Sequence, residues 1–108
     1  MSVTDKVNVI AGLYVAFAFE TITFADTAKG LTEASYKNAD DNFAKRALMT
    51  VESAQLRYRY DGVAPTALVG HVLNPGDTLI LIGATNIKNF KAIRTGVTSS
   101  KVSATYEK

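Results

Sequence analysis

The chain has 108 residues, 47% of them hydrophobic, enough for one domain around one core. A net charge of +2 excludes the strongly basic surface with which proteins track nucleic-acid phosphates. The absence of cysteine excludes disulfides, thiolate catalysis and sulfur-based zinc sites, so stability must come from packing, with or without assembly.

Val7 to Phe19 is the most apolar stretch. It is too short for a membrane-spanning helix, which takes about 20 residues. Asp5 cancels Lys6 ahead of it and no cleavage pattern follows, so neither a secretory role nor a membrane partner is expected. Its apolar side chains occupy both alternating sets, as in a strand covered on both faces, inside a sandwich or against another subunit. A helix competes, but Gly12 and the β-branched and aromatic residues favour the strand. Leu13, Val15, Phe17 and Phe19 are therefore the candidate core or interface residues, with 1–19 as an apolar N-terminal strand or arm.

Ile22 and Phe24 alternate with threonines, the signature of a half-buried strand. Asp26 to Glu33 reads as a turn around Gly30, and Ser35 to Asn42 as an exposed polar loop. Asp40 and Asp41 lack the spacing of a calcium loop, so no metal is expected there. Ala44 to Glu52 carries both helical spacing and strand composition, and the alternation that follows favours a strand.

From Leu56 onward the period is two: Leu56, Tyr58 and Tyr60 on one face, Arg57, Arg59 and Asp61 on the other. This predicts core packing for the tyrosines and a solvated face for the charges. Arg57 and Arg59 are also the candidates for an interface with an anionic partner. Asp61 and Gly62 end the strand, Pro65 interrupts pairing, and Leu68 and Val69 resume an apolar run. Asn74, Pro75, Gly76 and Asp77 form a type II turn signal. Thr78 to Ile82 is nearly all apolar, which predicts cover on both faces. Val102, Ala104 and Tyr106 alternate with polar residues in the cleanest half-buried strand. Short strands about every ten residues predict an all-β domain, a small antiparallel sandwich or barrel of jelly-roll-like or immunoglobulin-like type.

No catalytic constellation accompanies this packing pattern. His71 is the single histidine, expected as a structural residue hydrogen-bonded in a turn. No phosphate-cradling loop, cofactor motif or metal-ligand spacing occurs, so the expectation is a protein without cofactor that is not an enzyme.

The runs LRYRYDG at 56–62, APTALVGHVLNPGDTLIL at 64–81, NFKAIRTG at 89–96 and ATYE at 104–107 resemble small β-sandwich virion proteins of tailed bacteriophages. That group includes head-decoration and cement proteins. The resemblance covers the C-terminal half. It implies a structural virion protein, made in the host cytoplasm, that forms homo-oligomers and contacts the major capsid protein or other virion proteins, with no nucleic-acid partner. The alternative is a tail or fibre-associated module recognising a host-surface glycan through exposed Tyr14 or Tyr36.

Overall fold

Eight strands form two four-stranded antiparallel sheets in a computed structural model that describes residues 14–38 and 42–108. In chain order they are β1 (Ala16–Phe24), β2 (Lys29–Gly30), α1 (Glu33–Tyr36), β3 (Arg46–Ser53), β4 (Leu56–Arg59), β5 (His71–Leu73), β6 (Thr78–Ile82), α2 (Ala84–Asn89), β7 (Lys91–Arg94) and β8 (Ser100–Glu107). The first sheet has the order β1-β8-β3-β6 and the second β2-β7-β4-β5. The expected all-β architecture is the observed one.

Alternation decides which side chains meet between the sheets. Ile22 and Phe24 of β1, Val102, Ala104 and Tyr106 of β8, Ala47, Met49 and Val51 of β3, and Leu81 of β6 point inward. Leu56 of β4 and Ala92 of β7 meet them from the second sheet, with Ile87 and Phe90 closing one end. The Phe24 and Phe90 rings pack edge to face at 6.2 Å, a geometry that aligns the positive ring edge with the negative ring face. Tyr106 donates its hydroxyl to Glu20 Oε2 at 2.5 Å, which satisfies the polar end of an otherwise buried side chain. Burial, then this bond to a carboxylate, pushes the Tyr106 phenol well above its ordinary range.

Turn chemistry does what the sequence anticipates at two places. Gly62 and Gly76 both take positive φ, at 87° and 91°, and Asp77 N–H closes the second turn on Asn74 O at 2.9 Å. Between β3 and β4 the chain changes sheet within two residues, at a corner where Ala54 holds φ at 60°. The buried Ser100 hydroxyl donates to Ala54 O at 3.0 Å and pins that corner.

Elsewhere the structure differs from the sequence reading. Among the described residues of the apolar stretch, the strand starts at Ala16; Leu13 and residues 1–12 lie outside the described residues. Gly30 is not in a turn but in β2, paired with Lys91. Within the expected polar loop Tyr36 is buried, because its ring packs on Tyr106 at 6.0 Å and on Phe43 at 6.1 Å. Leu68 and Val69 form no strand: Thr66 Oγ1 accepts both of their backbone N–H groups in a tight local turn. Residues 84–89 are helical, a short element that the strand spacing of the sequence does not indicate.

Candidate functional site

Two surfaces of this sandwich carry unusual chemistry. The first is the outer face of the first sheet, where the pairing register aligns side chains in rows across all four strands. Phe19 of β1 faces Thr105 of β8, which faces Leu48 of β3, which faces Ile80 of β6. Phe19 is 65% exposed and Ile80 47%. Ile82 in the neighbouring row and Val15 just before β1 are also exposed. On the other side lies a row of Thr21, Ser103, Thr50 and Thr78. The doubly apolar character of Thr78 to Ile82 is thus half explained: Leu79 and Leu81 face inward, whereas Ile80 and Ile82 look into solvent. A sheet face of this kind normally alternates to polar residues when nothing covers it.

On that face Arg46, Glu107, Lys101 and Glu52 are paired within the chain. Arg46 Nε lies 3.1 Å from Glu107 Oε1 with both side chains largely buried, a coulombic contact whose N–H is not aligned for a hydrogen bond. The Tyr14 ring stands 5.2 Å from the Arg46 guanidinium, a cation–π arrangement. Lys101 Nζ lies 3.5 Å from Glu52 Oε2, and Glu52 also accepts from the Ser103 hydroxyl. That hydroxyl, first, and Lys101 hold the Glu52 carboxyl below its usual range.

The interface candidates divide accordingly. Val15 and Phe19 are exposed beside this face, while Phe17 sits in the β1 bulge, partly buried against the core. Arg57 and Arg59 stand on the other sheet and are engaged within the chain. Arg57 donates from Nε to Ala67 O at 3.1 Å and from Nη1 to Gly70 O at 2.7 Å, clamping the 60–70 loop. Val63, Leu68 and Val69 project from that loop, Leu68 with 85% exposure.

The second surface is a cleft of about 500 Å³ at the end of the second sheet, lined by Arg59, Tyr60, Asp61, His71, Asn86 and Asn89. Topology assembles it from three segments. Tyr58 on β4 lies opposite His71 on β5, so their rings share one face at 5.3 Å. Tyr58 is only partly buried, against Phe90 at 5.5 Å, and supports the His71 and Tyr60 rings from behind without lining the cleft itself. Burial, with Tyr60 nearby, pushes its phenol up. Tyr60 follows the last residue of β4 and is 42% exposed, in contrast to the expected core packing. Its ring lies near-parallel to His71 at 6.4 Å. His71 is an exposed strand residue against two tyrosines and not a histidine locked in a turn.

Polar groups rim the rings. Arg59 binds Asp61 in a bidentate pair, Nε to Oδ1 at 3.1 Å and Nη2 to Oδ2 at 2.5 Å. Asp61 Oδ1 also accepts the Val63 N–H at 3.3 Å. The guanidinium, before all else, holds the Asp61 carboxyl down at about 2. The Asn86 amide is oriented by donation to Ile82 O at 2.9 Å, and Asn89 stands beside Gly62. No sequence signal links positions 59–61, 71 and 86–89; only strand pairing and the turn into α2 bring them together.

Comparison with protein families, with curated proteins and with solved structures finds no match to this chain.

Proposed function

We propose that this chain is a structural protein of a tailed-bacteriophage virion, a decoration or cement component that associates with copies of itself through the outer face of its first sheet. The observation that carries the reading is the outer face of the first sheet, where exposed Phe19 and Ile80 share a row with Thr105 and the half-buried Leu48, and Val15 and Ile82 are exposed beside it, over an inner face that is packed. Several exposed large apolar side chains gathered on one face of a small domain mark a contact surface. A second copy suits this one because Arg46, Glu107, Lys101 and Glu52 are neutralised inside each subunit. Two such faces meet around a two-fold axis without bringing unpaired like charges together. The virion setting comes from the resemblance of the C-terminal half, and the clamped, outward-pointing Leu68 gives a separate anchor for a capsid surface.

The test has two parts. Sedimentation of the purified chain is expected to show a reversible oligomer that Phe19→Thr dissociates, and antibody labelling of phage particles carrying the gene is expected to decorate heads. A monomer at every concentration, or particles without label, would reject the reading.

A further inference from the structure

We infer that the cleft between β4, β5 and α2 is a binding site for a neutral saccharide, with Tyr60 and His71 as the stacking platform and Asp61, Asn86 and Asn89 as hydroxyl partners. Three observations lead there. The exposed Tyr60 and His71 rings lie near-parallel and are backed by Tyr58, itself seated on Phe90, so the platform is braced before any ligand arrives. A ring face carries partial negative charge and is apolar, which suits the C–H face of a pyranose. Bracing lowers the ordering cost of binding.

The rim supplies both senses of hydrogen bond. Asn86 and Asn89 each carry a donor and an acceptor in one side chain, and Asp61 accepts only. Sugar hydroxyls, which donate and accept at the same oxygen, are satisfied by such a mixture.

Charge bookkeeping then separates a sugar from a phosphate or nucleotide. Among the described residues lining the cleft Arg59 is the permanent cation, and it is already engaged by two bonds to Asp61. An anion entering here meets a neutralised guanidinium beside a carboxylate held ionised far below neutral pH. A neutral, hydroxyl-rich ligand meets no such penalty. The sequence alone points to Tyr14 or Tyr36 for a glycan partner, but Tyr36 is buried and Tyr14 stands against Arg46, so the chemistry resides on different residues.

The inference does not rest on self-association, because the Tyr60 and His71 rings belong to the second sheet and its following turn, whereas Phe19, Leu48 and Ile80 stand on the first. Isothermal titration of the full chain with maltohexaose, cellohexaose, chitohexaose and lactose, and separately with AMP, tests it. Saturable binding of at least one sugar in the millimolar range or tighter is expected. Tyr60→Ala should weaken it at least tenfold and Asn86→Ala severalfold, with circular dichroism unchanged, while Phe19→Thr leaves it intact. Saturation by none of the sugars, binding of AMP in their place, or unaltered affinity in Tyr60→Ala would overturn it.

Discussion

Replacing Phe19 by Thr separates folding from association more sharply than any other single change in this molecule. Thr, being β-branched, favours a strand as Phe does and matches Thr21 and Thr23 on the same face of β1, so local conformation is undisturbed. Phe19 is 65% exposed, so its loss takes little from the core, and the change in folding stability should stay within about 0.5 kcal/mol. Association is different. Two thirds of a phenylalanine surface of roughly 200 Å² is about 130 Å², which at about 25 cal/mol per Å² is close to 3 kcal/mol for a ring that becomes fully covered. That is about a hundredfold in association constant per copy, and partial cover scales it down in proportion. Sedimentation equilibrium over a concentration series reads the association constant, and chemical denaturation reads the fold. Equal association constants in the two proteins, or a variant that unfolds far more readily, would refute the reasoning.

Other consequences concern the fold and the cleft. Gly70 has φ 141°, and a Cβ there would stand 3.1 Å from Tyr58 O and 3.2 Å from Arg57 Cβ and Pro65 Cβ. Gly70→Ala should therefore cost about 1–3 kcal/mol by urea denaturation and free the 60–70 loop to limited proteolysis; resistance equal to the parent would contradict this. Phe90→Ala removes a fully buried ring that touches Phe24 and Tyr58, with an expected loss of about 3–5 kcal/mol, read by thermal melting, and a loosened support behind the Tyr60 and His71 rings. Asp61 has its folded pKa lowered to about 2 from 3.8, so its contribution is present above the unfolded value and is lost as pH falls from about 3.8 through 2. Asp61→Asn should flatten that part of the acid-stability curve, and high salt should shrink the difference because the pair is exposed.

Period-two patterning marks β4 and β8, where Leu56 and the set Val102, Ala104 and Tyr106 are buried against the opposite sheet, whereas β3 shows in the sequence only as a segment ambiguous between helix and strand and β6 as an apolar run. The turns at Asp61–Gly62 and Asn74–Asp77 were equally legible, since positive φ leaves its mark as glycine. Tyr36 was misplaced because what buries it, Tyr106 and Phe43, is a tertiary contact invisible in the polar residues beside it. Ile80 and Ile82 show the reverse limit: apolarity tells that a strand seeks cover, not whether its own chain provides it. Tyr60 falls just past the end of β4, where alternation no longer dictates the side of the sheet. The cleft was the least legible feature, assembled from β4, β5 and α2 by pairing and crossover, with no spacing that a linear reading detects.

Because the chain has no native cysteine, a single introduced thiol reports one position alone. Thiol-labelling rates of Ile80→Cys, in the apolar row, and of Val97→Cys, on a loop at 92% exposure, are compared as protein concentration rises. Contact through the outer face of the first sheet predicts that the first rate falls with concentration while the second stays constant. Rates that remain equally insensitive to concentration at both positions would contradict it.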